Sequence, residues 1–356
     1  MRRSILMLVA VSVGLLVSAL FVFSRQAARL SEGVARDASE LEARVVVLQT
    51  APEDGSVFDC LGPEVDRSPD LSRVLPWTDP SIAAVISGAP LTEGQRAVLE
   101  TNRPWLERAL ACGRKRTIAP TAGLGPFPDF LHGRRQSMPR LMETLSSLAP
   151  LVVREALERG QVDEALERCT AVLVLTTGWL RLEGLESMLP TMGPSRAVLP
   201  ACADALARSA QPAPFRARLA ELGSLAPSYV EVMKLERTQL ALRLFGAWVP
   251  PEVDAQLPAS ARLVTKRQRE SKWQRGVLGT LALRLYWKRF EAGMREVEVA
   301  SALEPAAREK AILAAQAKLD APFLKRFFAA DPVDLRYQMY AVYLDQLHAS
   351  LSLFTR

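Results

Sequence analysis

Two residues of one loop have the types and the spacing that acid–base chemistry requires. Asp129 and His132 lie three positions apart in the aromatic segment Phe-Pro-Asp-Phe-Leu-His. A carboxylate placed in this way can orient an imidazole for proton transfer, which makes the loop 123–135 the candidate catalytic site of a hydrolase acting on a polymer of the cell envelope. The alternative, which we favour, is that Asp129 caps the following turn while His132 packs against the protein or lies on its surface.

The familiar catalytic motifs are absent from the rest of the chain. The sequence contains 2 histidines and lacks the His-Glu-x-x-His motif of zinc proteases. It also lacks Gly-x-Ser-x-Gly, Ser-x-x-Lys with its companion motifs, and a P-loop. We therefore expect no enzymatic activity, no metal and no cofactor.

Basic residues form two clusters that an anion could contact. One is Arg114-Lys115-Arg116, and the other lies within 262–275: Arg262, Lys266, Arg267, Arg269, Lys272 and Arg275. In the cytoplasm the second cluster would suggest nucleic acid, with Trp273 as a stacking platform. Outside the membrane it suggests lipid head groups, lipopolysaccharide or an acidic partner. A solvated helix face is the interpretation we favour, and we expect no nucleic-acid binding because the net charge is only +6.

The four cysteines suit an oxidising compartment. They are Cys60, Cys112, Cys169 and Cys202, and four cysteines allow three pairings, among which sequence alone cannot choose. Cys60 lies in a Pro/Gly-rich segment and Cys112 at a predicted helix end, so a bond between them would tie irregular chain to the scaffold, and we predict it. Cys169 and Cys202 fall at similar heights on successive predicted helices, where they either bond or remain two buried thiols.

The segment 5–23 is an uncharged apolar run directly behind Arg2 and Arg3. As a helix it would be ~28 Å long, close to the hydrocarbon thickness of a bilayer. A cleaved signal peptide is the alternative, with a small-residue site ending at Ala19, but the run continues through Phe23, which favours an uncleaved anchor. The basic N-terminus predicts a single-pass protein of a bacterial inner membrane, with a cytoplasmic N-terminus and most of the chain in the periplasm.

Composition and periodicity predict an all-α fold. Leu, Ala, Arg and Glu dominate, aromatic residues make up 6% of the chain, and no segment alternates with a two-residue period, so we expect no sheet. The expected organisation is a transmembrane helix at 1–24, a juxtamembrane stalk helix at 25–50, a loop-rich segment with short helices at 51–136 and a helical-repeat domain at 137–356.

Local signals place several helix ends. Asp79 and Pro80 have the types of an N-cap and a first helical residue, and Gly88 and Gly160 are typical of positions that follow a helix. The sequence Thr-x-x-Gln that starts at Thr92 is a capping box. These signals predict helices that begin at 80 and 93 and a helix that ends at 159.

Prolines predict interruptions. Seven Pro and Gly residues in 51–80 indicate an irregular linker, and Pro104 predicts a break or kink with Asn102 as the cap of the second half.

From 137 onward, predicted helices follow one another in antiparallel pairs joined by short turns. This arrangement is typical of a TPR-like bundle or short solenoid.

Three segments, 86–100, 158–167 and 281–298, carry a resemblance. They are similar to an uncharacterised family of bacterial proteins that are anchored by one N-terminal helix and have a mostly helical extracytoplasmic part. The likeness spans 77–345, consists of helix-packing patterns and brings no reaction with it. It implies the same placement and fold for this chain. We therefore expect a binding or scaffolding protein with a protein or envelope partner, and the alternatives are the envelope hydrolase and a purely structural envelope protein.

Overall fold

The computed structural model describes residues 46–69, 79–118, 137–183, 185–246, 251–257, 277–300, 302–319 and 337–355, with isolated positions between 7 and 33 and at 74, 76, 249, 262 and 266. The fold is mostly helical, so the predicted all-α class is confirmed apart from one small sheet. In chain order the elements are β1 (Glu53–Ser56), α1 (Val57–Asp66), α2 (Pro80–Ile86), α3 (Glu93–Cys112), β2 (Lys115–Thr117), α4 (Ser137–Glu158), α5 (Val162–Glu183), α6 (Leu185–Arg208), α7 (Ala213–Leu225), α8 (Tyr229–Phe245), α9 (Pro251–Asp254), α10 (Val277–Ala300), α11 (Pro305–Leu319) and α12 (Tyr337–Thr355).

The predicted helix starts are present with their caps. The Asp79 side chain accepts from the Ser81 N–H at 2.8 Å and begins α2. At the start of α3, Thr92 and Gln95 bond reciprocally, which completes the capping box. Gly160 follows α4 with a φ of +71°, a conformation that glycine adopts without steric cost. Local side chain–backbone chemistry therefore determines these helix ends.

The small sheet contradicts the prediction that the chain has none. β1 pairs in parallel with β2, and Val47 forms an antiparallel bridge to Thr117 on the other side of β2. Leu48 N–H donates to the Arg116 carbonyl at 2.8 Å, so 46–48 pairs with β2 and is not helical. This end of the predicted stalk helix is therefore wrong. The rest of that helix lies outside the described residues, apart from Gly33.

Prolines interrupt the helices less than their positions suggest. α1 occupies part of the predicted linker and contains Pro63, while Phe58 and Leu61 on the same helix are fully buried. α3 continues through Pro104, and Asn102 lies inside it, donating to the Val98 carbonyl at 2.8 Å instead of capping a second half. Burial of apolar side chains outweighs the loss of one helical hydrogen bond per proline.

The core of the domain is the packing of α4, α5 and α6 on one another, with α3 against α4 and α5. Two close approaches need glycine. A Cβ on Gly113 would lie 2.6 Å from the Ala171 carbonyl oxygen, and a Cβ on Gly178 would lie 2.6 Å from Cγ2 of Ile118. The end of α3 and the strand that follows it therefore lie directly on α5.

The structure contains the predicted Cys60–Cys112 disulfide and also the Cys169–Cys202 disulfide, which the sequence left open. Cys60 on α1 is bonded to Cys112 at the end of α3, with Cα atoms 5.4 Å apart. Cys169 on α5 is bonded to Cys202 on α6, with Cα atoms 5.8 Å apart. The first bond fastens β1 and α1 to the helical core, and the second joins the two central helices.

The C-terminal helices form a second packing centre. α10 and α11 are an antiparallel pair, and α12 packs on α6 and α7, far earlier in the chain. Tyr343 of α12 is buried, and its hydroxyl lies 3.1 Å from the Ser195 hydroxyl of α6. In a strict solenoid each unit contacts only its neighbours in sequence, and the return of α12 departs from that pattern.

The predicted membrane anchor, 5–23, lies largely outside the described residues. The positions described there, 7, 10–15, 17 and 18, are helical. Within the described part of the chain, no helix combines the length and the apolar character that a membrane crossing requires.

Candidate protein-binding groove

The residues singled out for chemistry fall mostly beyond the described part of the chain. Asp129, His132 and the rest of the loop 123–135 lie outside the described residues. So do four members of the second basic cluster: Arg267, Arg269, Lys272 and Arg275. Arg262 and Lys266 are described, and both are helical and exposed. The acid–base hypothesis and the anion-contact hypothesis therefore remain predictions.

The first basic cluster lies on β2 and is partly neutralised. Arg114 and Lys115 both form ion pairs with Glu53 of β1, at 3.3 and 3.4 Å. Arg116 approaches Asp54 at 3.7 Å. Ion pairs between the acidic residues of β1 and the basic residues at β2 thus help to hold the two short strands together. The cluster therefore offers little net positive charge to an outside anion.

Buried ionic groups in the described residues have structural partners. Glu155 of α4 is buried and accepts two hydrogen bonds from Arg103 and one from Arg159, at 2.7–2.9 Å. Glu100 is the main partner that raises the pKa of Arg103, and Glu155 adds to it. On α11, Arg308 is buried and pairs with Asp345 of α12. These ion pairs join helices to one another.

One histidine was not considered as a site residue. His348 of α12 lies with its Nε2 3.1 Å from the Pro227 carbonyl, at the turn before α8. Asp345 precedes it by one helical turn, but that carboxylate is taken up by Arg308. His348 therefore fastens α12 to α8. Among the described residues, no group of three or more His, Cys, Asp or Glu side chains could hold a metal ion.

An open groove of about 400 Å³ lies between α10 and α11. Its lining consists of Arg295, Glu296, Val299, Ala300, Leu303, Ala311 and Ala314. Alanines on the α11 side keep the groove wide, because short side chains leave the space between the helices unfilled. The groove therefore has an apolar floor.

Large apolar side chains border this groove and face solvent. Val299 is 70% exposed and Leu303 42%. Burial of such side chains by a partner releases ~1.5–3 kcal/mol each when it is complete. Exposed apolar surface beside a concave floor is typical of a protein-binding site.

The charges around the groove are paired within the chain. Arg295 bonds to Glu291 one turn earlier on α10, at 2.7 Å. Lys318 of α11 bonds to both oxygens of Glu296, at 2.8 Å, and so bridges the two helices at one end of the groove. The result is a rim with both signs of charge, as expected around an apolar contact surface.

The groove is held rigidly against the protein body. A Cβ on Gly293 would lie 2.6 Å from the Leu319 side chain, so α10 and α11 approach closely there. The Tyr286 hydroxyl donates to the Leu319 carbonyl at 2.7 Å. An ion pair between Arg237 of α8 and Glu298 of α10, at 3.2 Å, fixes the hairpin to the core. These contacts join the two sides of the groove to each other and to α8 within the chain itself.

Comparison with protein-family models, with curated proteins and with solved structures finds no match for this chain. The resemblance to a bacterial membrane-anchored family therefore remains a prediction. Sequence reasoning also missed the groove. The signal that could have found it is the run of alanines along α11, together with Val299 in a charged stretch of α10.

Proposed function

We propose that this chain is a membrane-anchored extracytoplasmic protein whose TPR-like helical domain binds or scaffolds other polypeptides through the groove between α10 and α11. The observation that supports this function is the groove itself, an open apolar floor with exposed apolar side chains at its edge. Binding of this kind requires shape and apolar surface but no catalytic side chains. A helical segment with apolar residues on one face is the occupant that a groove between two helices fits.

The placement of the protein rests on the apolar segment 5–23 and the basic residues before it. The disulfides of the helical domain are in keeping with an oxidising compartment. We expect an alkaline phosphatase fused after Arg356 to be active and a reporter that works only in the cytoplasm to be silent when fused at the same position. The protein should also stay in the membrane fraction after a carbonate wash. The opposite result in either assay would refute the placement without touching the groove.

A photo-crosslinking amino acid tests the groove. With p-benzoylphenylalanine in place of Val299, the full chain in living cells should form a covalent adduct with another polypeptide. The control position is Leu353 on α12, which is 67% exposed, nearly as much as Val299, and does not line the groove. A second substitution, Ala314→Glu, puts a charge on the groove floor and should abolish the adduct at 299 without changing the yield of folded protein. Equal adducts at 299 and 353, or none at 299, would refute the proposal.

The hydrolase interpretation rests on Asp129 and His132 alone. Both residues lie outside the described part of the chain, so this interpretation remains the alternative to the binding function.

A further inference from the structure

The four cysteine side chains differ in their exposure to solvent. Cys60 on α1 is half-buried, whereas its partner Cys112 is fully buried. In the second disulfide, Cys169 and Cys202 are each 1% exposed. A thiolate can open a disulfide only through a sulfur that it can reach. The Cys60–Cys112 bond is therefore accessible from one side, and the Cys169–Cys202 bond from neither.

Access also decides which sulfur an incoming thiol attacks. In thiol–disulfide exchange the attacked sulfur forms the new bond, and the other sulfur of the old bond leaves. Attack of a thiolate on the Sγ of Cys60 therefore forms a mixed disulfide at Cys60 and breaks the bond to Cys112. The electron pair of the broken bond goes to Cys112, which then takes a proton from water. The number of disulfide bonds is unchanged, so the step needs no oxidant and no reductant beyond the thiol itself.

The fold can accommodate the sulfur that leaves. The Sγ of Cys112 lies 3.4 Å from the carbonyl oxygen of Arg108, one helical turn earlier on α3. As a thiol, Cys112 can donate its S–H to that oxygen, as serine and threonine hydroxyls do inside helices. Cys112 also belongs to the apolar core, where a small neutral thiol packs as an apolar side chain does. Opening of the bond at Cys60 therefore leaves no buried charge.

The partial burial of Cys60 limits the size of the thiol that can reach it. Asp59, which precedes it on α1, is exposed, and Leu61, which follows it, is fully buried. The Cys60 side chain thus lies where the surface of the helix meets the core. A small molecule can approach such a sulfur, whereas the active site of a protein oxidoreductase needs a disulfide that protrudes. This position therefore favours a low-molecular-weight thiol.

We propose that Cys60 is a thiol-exchange site that takes up a low-molecular-weight thiol as a mixed disulfide and releases Cys112. The adduct replaces the covalent tie between α1 and the end of α3. β1 and α1 then depend on noncovalent contacts, such as the hydrogen bond of 3.0 Å from the Trp105 indole to the Glu64 carbonyl. The concentration of small thiols around the domain thus controls how firmly this layer is attached. This site is independent of the groove between α10 and α11.

Reduced glutathione is the probe that tests the site. The purified full-length protein in mild detergent is incubated with glutathione, samples are stopped with N-ethylmaleimide in guanidinium, and their peptides are mapped by mass spectrometry. The Cys60–Cys112 bond should open at least ~10-fold faster than the Cys169–Cys202 bond. At early times glutathione should be found on Cys60 and N-ethylmaleimide on Cys112. Equal rates for the two bonds, glutathione on Cys112, or no opening of Cys60–Cys112 in the folded protein would overturn the proposal.

Two serine variants test the difference in exposure directly. Cys112→Ser leaves the thiol of Cys60 free, and Cys60→Ser leaves the thiol of Cys112 free. In the folded variants, N-ethylmaleimide should modify Cys60 at least ~10-fold faster than Cys112, and in guanidinium the two rates should be similar. Circular dichroism shows whether each variant is folded, and the glutathione experiment on the natural chain does not depend on it. Similar rates in the two folded variants would contradict the assignment of Cys60 as the sulfur that is attacked.

A protein thiol distinguishes a small-molecule source from an oxidoreductase. The probe is a thioredoxin-fold oxidoreductase with its second active-site cysteine replaced by serine, so that a mixed disulfide is trapped. The rate of each thiol with the natural chain is divided by its rate with a short disulfide-bonded peptide. This ratio should be at least ~10-fold lower for the oxidoreductase than for glutathione, because the larger reagent cannot reach a half-buried sulfur. Equal ratios would overturn the assignment of a low-molecular-weight thiol.

Discussion

Removal of the Cys60–Cys112 disulfide should lower the stability of the protein by about 4 kcal/mol. The bond joins residues 52 positions apart, and the loop-closure model assigns about 4 kcal/mol to a crosslink of that length. Cys60→Ala with Cys112→Ala removes the bond and changes little volume, so the lost constraint on the unfolded chain should dominate. Against a typical unfolding free energy of 5–15 kcal/mol, this is a large fraction.

The structural effect should be localised near the bond. α1 contacts α3 through Trp105, whose indole N–H donates to the Glu64 carbonyl at 3.0 Å, and β1 contacts β2 through only a few hydrogen bonds. Without the disulfide these elements lose their covalent attachment to the end of α3. Hydrogen exchange should therefore accelerate mainly in 46–69 and 113–118, while α4, α5 and α6 keep their protection.

The matched control is the second disulfide. Cys169 and Cys202 are 33 positions apart, so the same model assigns a similar free energy, slightly below 4 kcal/mol, to that bond. Both residues are buried between α5 and α6, whose packing persists without the bond, so Cys169→Ala with Cys202→Ala should not accelerate exchange in 46–69. The assay is guanidinium unfolding of the purified full-length protein combined with exchange mass spectrometry. A loss below ~1 kcal/mol on removal of Cys60–Cys112, or faster exchange centred on α4–α6, would refute the reasoning.

Three further predictions concern single side chains, each measured by denaturant unfolding. Gly113→Ala should destabilise the protein by about 1–3 kcal/mol because the added Cβ meets the backbone of α5. Its control is Gly94→Ala, in open space near the start of α3, which should be neutral or stabilise the protein by up to ~1 kcal/mol. Tyr343→Phe should cost about 1 kcal/mol through its lost hydrogen bond, while Tyr229→Phe should be neutral or stabilising, since the buried Tyr229 hydroxyl has no partner within the described residues. Desolvation opposes ionisation of Glu221, but its hydrogen bonds with Thr50 and with backbone N–H groups lower its pKa. The stability that the Glu221 carboxylate contributes is therefore present above the unfolded-state pKa and is lost as the pH falls through the folded-state pKa. Glu221→Gln should remove this part of the acid dependence of unfolding.

Apart from the Cys60–Cys112 disulfide, the features that the sequence predicted correctly depend on neighbouring residues. A capping box such as Thr92–Gln95 needs only four consecutive positions, and Gly160 ends α4 through its own backbone freedom. In each case the residues that make the contact are the residues that carry the signal.

The features that the sequence did not predict depend on residues far apart in the chain. β1 and β2 are four and three residues long, contain no apolar alternation and pair across an interval of about sixty residues. Their pairing is held by the ion pairs of Glu53 with Arg114 and Lys115 and by the disulfide beside them. Each of these contacts joins residues more than fifty positions apart, so no short stretch of sequence contains both partners. Pro63 and Pro104 mislead for the same reason, because the burial that keeps their helices intact comes from other elements.

The groove between α10 and α11 is hidden from sequence reasoning for a further physical reason. The core residues of a helix can be recognised in a sequence because apolar side chains recur at every turn, on the face that becomes buried. Val299 and Leu303, which line the groove, are instead exposed, so they contribute little to the free energy of unfolding and follow no period. Nothing in the fold of a single copy requires them to be apolar. An apolar side chain that folding does not require is informative about binding, but it can be recognised only after the structure has shown which face of the helix is exposed.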